Sequence, residues 1–116
     1  MVSKGLMVGL CVLGMGWLPV AAAQQTGADL AKARNCLACH NVDKKVVGPA
    51  LSVISQRFAG TEGAQNYLAQ SIRQGGRGRW GAVPMPAQPQ VSPEDAQLLA
   101  AWILSLAQQG QSEPGN

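Results

Sequence analysis

Two cysteines three residues apart, with a histidine directly after the second, constrain this chain more than any other feature: Cys36-Leu37-Ala38-Cys39-His40. On a helical backbone, positions i and i+3 share a face, so both thiols point the same way. Thiols so placed can bond to the two vinyl groups of a single haem, and the imidazole that follows can reach its iron. C-x-x-C-H is the pattern of c-type haem attachment, whereas C-x-x-C alone would leave thiol redox or zinc chemistry open. A thioredoxin-like pair needs a preceding strand in a βαβ context, and none is legible here. The expectation is one covalently bound haem c, attached through Cys36 and Cys39, with His40 as an axial ligand of an iron that cycles between ferrous and ferric.

The amino terminus carries a separate message. Lys4 supplies a short positive region, an apolar run follows from Gly5 to Leu18, and Pro19 precedes the small residues Ala21-Ala22-Ala23. That is the layout of a secretory signal peptide, with cleavage expected after Ala23. Residues 5–23 are almost long enough to span a bilayer, but Gly9, Gly14, Gly16 and Pro19 weaken such a span. Cys11 lies inside the apolar run, too early for a lipoprotein cysteine. The expected division is a signal at 1–23, a haem domain at 24–107 and a flexible, glutamine- and glycine-rich tail at 108–116.

Export simplifies the chemistry. Met1, Met7 and Met15 leave with the signal, so Met85 is the sole methionine of the mature chain; Cys36 and Cys39 are its only cysteines, and His40 is its only histidine. No four-ligand zinc site can be assembled from these. Eight basic side chains against six acidic ones is too mild an excess for nucleic-acid binding. About 93 residues suffice for one domain, marginal unless something adds to its core. Phe58, Tyr67, Trp80 and Trp102 are the only mature aromatics, and a porphyrin would supply the missing apolar bulk.

Four helical patterns are legible and no convincing strand, so the predicted class is all-α. Thr26 with Asp29 starts a helix over about 27–38 that carries the cysteines. Gly48-Pro49 opens a second, with Leu51, Ile54 and Phe58 along its apolar stripe up to Gly60. Thr61 caps a third over about 62–74, ended by Gly75-Gly76. Ser92-Pro93-Glu94-Asp95 begins the last, whose apolar face is Leu98, Leu99, Trp102, Ile103 and Leu106. Between the last two lies a Gly- and Pro-rich loop, Gly75 to Val91. It lacks the G-K-[ST] ending and preceding strand of a phosphate loop. Met85 stands in it between Pro84 and Pro86, whose fixed φ angles stiffen the mount and whose missing N–H groups leave less to satisfy. Met85 is therefore the expected second axial ligand. His/Met ligation raises the reduction potential and leaves no open position, which suits a one-electron carrier and not an enzyme.

Cys36-Leu-Ala-Cys-His40, Val47-Gly48-Pro49-Ala50, Phe58-Ala-Gly60, Trp80-Gly81, Val83-Pro84-Met85-Pro86 and the Asp95-to-Ser105 helix occur in order. This sequence closely resembles the small bacterial class I cytochromes c, of the c-551 type, over nearly all of residues 27–107. The resemblance implies a monohaem fold wrapped around its cofactor, with the first and last helices crossing. It implies that the Pro49 carbonyl accepts the N–H of the ligating His40, that the Trp80 indole reaches a haem propionate, and that Arg57 stands near the propionates. Pro49 also suits a helix opening, which is compatible with that role; the plainer alternatives are core filling for Trp80 and a solvated surface position for Arg57. The segment from Pro86 to Ser92 is one residue longer than the family pattern, and Arg77 and Arg79 add charge before Trp80.

The expected function is that of a soluble, monomeric periplasmic electron carrier, not membrane-inserted after cleavage. Its haem edge would be ringed by Ala38, Val46, Val47, Pro84 and Pro86, with Lys44 and Lys45 steering acidic partners. The resemblance suggests a quinol-oxidising complex as donor and a terminal oxidase or nitrite reductase as acceptor. The alternatives are a haem c subunit tethered to such a complex, and a ligand-binding haem protein in which Met85 is displaced.

Overall fold

Thr26 opens the fold: its hydroxyl accepts the Asp29 N–H at 3.1 Å and caps α1 (Gly27–Ala33). The structure, a computed structural model, describes residue 5 and residues 26–110. The signal expected at 1–23, Gly5 apart, and the tail from 111 onward lie outside the described residues. The first helix stops short of the expected 38. Asn35 adopts φ 60°, ψ 22°, and a 3-10 turn, Cys36–Ala38, follows it. Asparagine enters this left-handed region more readily than most residues because its short side chain is polar. Three residues per turn eclipse i and i+3, so the break aligns Cys36 and Cys39 more closely than a continuous α-helix would.

The second helix, α2 (Leu51–Phe58), begins later than Gly48-Pro49, at an Ala50 cap with no side-chain hydrogen bond. Leu51 and Ile54 are buried and Phe58 packs at the core's margin. Thr61 does not cap α3 (Ala64–Gln74); the left-handed Gly63 does. Leu68 and Ile72 face the core, and Gly75 closes the helix by donating to the Ser71 carbonyl at 2.8 Å. The start of α4 (Pro93–Gln109) is as expected, with Ser92 Oγ accepting the Asp95 N–H at 3.0 Å, Pro93 in the first turn and Glu94 and Asp95 beside it. This helix runs through Gln109, past Ala107 where the tail was expected to begin.

Helices α1, α2 and α3 all pack on α4. Its buried stripe of Ala96, Leu99, Ala100 and Ile103 meets Leu30, Leu51, Leu68 and Val91. The expected crossing of first and last helices is present. A Cβ on Gly27 would overlap Trp102, and Arg34 pairs with Asp95 at 2.7 Å. Among the described residues there is no strand, only an isolated antiparallel bridge between Gly76 and Met85. The class is all-α.

Candidate haem site

The attachment motif sits on the short 3-10 turn, with Cys36 half-buried at the edge of the core and Cys39 exposed. Neither is in a disulfide, so both sulfurs are available to a cofactor. Burial pushes the Cys36 thiol above its ordinary pKa. The N–H groups of Cys39 and His40 both donate to the Cys36 carbonyl, at 3.2 and 3.0 Å, which ties the imidazole to the turn.

After His40 the chain makes a loop whose two ends are stitched together. Gly48 donates to the Cys39 carbonyl at 2.8 Å, Leu51 to Asn41 at 2.9 Å and Ser52 to Val42 at 2.9 Å. The Asn41 side chain turns the loop by accepting the N–H groups of Asp43 and Lys44 at 2.9 and 3.2 Å. This closure brings the Pro49 carbonyl to 2.8 Å from His40 Nδ1. A carbonyl only accepts, so Nδ1 is the donor in this contact, and Nε2 is the ring nitrogen left for a cofactor. Gly48 makes room for the ring: a Cβ there would lie 2.5 Å from Cε1 and 2.8 Å from Nδ1.

Met85 is half-buried, with its backbone bound in both directions to Gly76. Met85 N–H donates to the Gly76 carbonyl at 2.8 Å, and Gly76 N–H to the Met85 carbonyl at 3.0 Å. Arg57 and Trp80, paired by the resemblance, are in contact, the guanidinium carbon lying 4.6 Å from the indole centroid. Arg57 also donates to the Arg79 carbonyl at 3.3 Å, and Arg79 lies over Tyr67 at 4.4 Å. Among the described residues, neither Arg57, Arg77 nor Arg79 is paired with a carboxylate; the ion pair is Arg34–Asp95. Val46, Val47 and Val83 are each more than half exposed.

Several contributors were not read from the sequence. Asn35 looked like ordinary helix, Gly48 like a helix opening, and Gly75-Gly76 like a terminator alone. The proximity of Gly48 to Pro49 and of both glycines to the Pro-Met-Pro segment was the available signal, but pairing across such loops has no periodicity to betray it. Ser55, wholly buried, was hidden by its place in an apolar helix.

The donor set fits a haem. Among the described residues no three His, Cys, Asp or Glu side chains converge on a common point. What the chain offers is two aligned thiols, an imidazole with a free Nε2 and a thioether on a pinned backbone, which suits a cofactor that brings its own equatorial nitrogens. With an all-α frame, this defines a class: the small c-type haem proteins.

Known proteins agree with that class. The Cytochrome c family model matches residues 24–107. The chain is 52% identical over 89 residues to cytochrome c-552 of Nitrosomonas europaea, covering 77% of this chain and 86% of that protein. It is 44% identical over 103 residues to cytochrome c-551 of Stutzerimonas stutzeri, covering 89% of this chain and 98% of the relative. The crystal structure of wild-type Nitrosomonas europaea cytochrome c552 superposes with a TM-score of 0.67 at 53% identity, over 68% of this chain and 98% of that one. The chain belongs to the cytochrome c family, as a small class I monohaem member that carries electrons on one covalently attached haem c.

Proposed function

We propose that the mature chain, beginning at Gln24, is a soluble periplasmic one-electron carrier with His40 and Met85 as the axial ligands of its iron. The observation that carries this reading is that His40, the residue after the thiol pair, has its Nδ1 2.8 Å from the Pro49 carbonyl oxygen. The carbonyl keeps the proton on Nδ1, fixes the plane of the ring and raises the basicity of Nε2, the nitrogen left to coordinate. Met85 supports it as the sole methionine after residue 23. Haem supplies the reversible one-electron couple. The protein's part is to hold a neutral imidazole and a soft thioether in place, a pairing that favours the ferrous state.

The remaining residues serve the cofactor's rim and the partners. Arg57 and Trp80 serve the propionates through guanidinium and indole N–H groups. Val46, Val47, Pro84 and Pro86 form an apolar contact surface, with Lys44 and Lys45 drawing acidic partners into small, transient encounters. A quinol-oxidising complex as donor and a terminal oxidase or nitrite reductase as acceptor fit this chemistry. Among the described residues no helix is long and apolar enough to cross a membrane.

Absorption spectra in both oxidation states and redox titration of Met85→Ala test the ligation. The oxidised wild type should show a far-red sulfur-to-iron charge-transfer band. The variant should keep its covalent haem, lose that band and fall in potential by at least about 59 mV, tenfold in the ferrous-to-ferric ratio. An unchanged band and potential would remove Met85 from the iron. Sequencing the periplasmic protein's amino terminus checks cleavage before Gln24.

A further inference from the structure

We propose that Gly75 and Gly76, at the end of α3, are positioning residues for Met85. The proposal rests on the reading of Met85 as an axial ligand and says what holds that ligand in place. Gly75 has φ +72° and ψ −172°, a conformation strained for any residue with a Cβ. A Cβ there would overlap the Met85 carbonyl oxygen and lie 2.7 Å from Ala87 N and 2.9 Å from the Pro86 carbonyl carbon. All three are backbone atoms, so no side-chain rotation relieves the overlap.

The segment cannot give way locally either. Pro84 and Pro86 have fixed φ angles. Gly76 and Met85 exchange both of their backbone hydrogen bonds, and Gln88 N–H donates to the Ile72 and Arg73 carbonyls at 3.2 Å each. Residues 85–88 therefore lie on the last turn of α3 as one stiff strap. Any atom added at Gly75 moves the strap as a unit, and the thioether goes with it. Gly76 sets the register of the strap and Gly75 its distance.

Gly63 provides the control. It caps the other end of the same helix at φ +74°, where a Cβ would meet nothing within 4 Å. Alanine at Gly63 adds left-handed strain to α3 without touching the strap. The readouts are the far-red band of the oxidised holoprotein, its reduction potential, and its equilibrium affinity for added imidazole, which competes with a weakly held thioether. Gly75→Ala is expected to retain covalent haem, weaken or shift the band, lower the potential and bind imidazole about tenfold more tightly. Gly63→Ala is expected to lower the unfolding midpoint while keeping wild-type band, potential and imidazole affinity.

Equal imidazole affinity and equal bands in the two variants would overturn the proposal. If Gly75→Ala does not accumulate as holoprotein, Gly76→Pro deletes the N–H donated to Met85 without adding a Cβ at Gly75. It should tighten imidazole binding in the same direction, and wild-type affinity there also overturns the proposal. Met85→Ala separates the two levels. If it keeps the wild-type band, the ligand reading itself falls; if it loses the band while the glycine variants are silent, positioning alone falls.

Discussion

Asn35 shows how one residue can align a cofactor attachment site. Its left-handed φ of 60° ends α1 and starts the 3-10 turn on which Cys36 and Cys39 eclipse. Its side chain makes no capping bond, so its contribution is the backbone conformation it tolerates. A β-branched residue there should cost about 1–2 kcal/mol, the usual penalty for forcing such a residue left-handed. Asn35→Val should therefore lower the denaturant midpoint of the holoprotein, whereas Asn35→Gly should stay within about 0.5 kcal/mol of wild type. Similar midpoints for the two variants would show that the turn does not depend on this conformation. The cysteines and His40 are legible in the sequence because their chemistry follows from adjacency. Asn35 is not, because the leucine and alanines around it continue a helical pattern and only the backbone angle betrays the break.

At the scale of elements, α2 and α4 are joined through a side chain that belongs to neither helix's hydrogen-bond ladder. Ser55, fully buried on α2, donates its hydroxyl to the Leu104 carbonyl at 2.9 Å and accepts the Ala107 N–H at 2.8 Å. One buried oxygen thus bonds both a donor and an acceptor on α4. Ser55→Ala strips both groups of that partner and should cost about 1–3 kcal/mol. For a domain of this size each kcal/mol lowers the thermal midpoint by about 4–8 °C. Ser105→Ala is the comparison, since that hydroxyl bonds to the Trp102 carbonyl within its own helix; calorimetry should rank it well below Ser55→Ala. Helix starts were legible where local chemistry decides them, as at Thr26 and Ser92. They shifted where another contact prevails: Pro49 stays outside α2 with its carbonyl on His40, and Gly63 delays α3 beyond Thr61. The Gly76–Met85 bridge escaped for a related reason, because it joins residues in a loop with no alternating pattern.

Across the whole molecule, charge is arranged more unevenly than its total suggests. Residues 24–116 carry only two more basic than acidic side chains, and two haem propionates would bring them near neutrality. Yet no carboxylate side chain occurs between Glu62 and Glu94, a stretch that contains Arg73, Arg77 and Arg79. Arg57 reaches this stretch through the Arg79 carbonyl and Trp80. A nearly neutral protein has little long-range attraction for an anion, so any salt dependence must come from such local fields. At about 0.01 M salt the screening length is roughly 30 Å and the arginines act at a distance; at about 0.1 M it is roughly 10 Å and they act only near contact. Oxidation of the reduced protein by ferricyanide, a small trianion, should therefore slow several-fold over that range. In the Arg77→Gln, Arg79→Gln double variant the rate at low salt should drop and the salt dependence flatten. Lys32→Gln, on α1 and outside the carboxylate-free stretch, should leave the slope nearly unchanged. Stopped-flow traces across the salt series decide it, with reduction potentials measured alongside so that a change in driving force is not mistaken for a change in encounter. A slope undiminished in the double variant would leave the steering field to Lys44 and Lys45 alone.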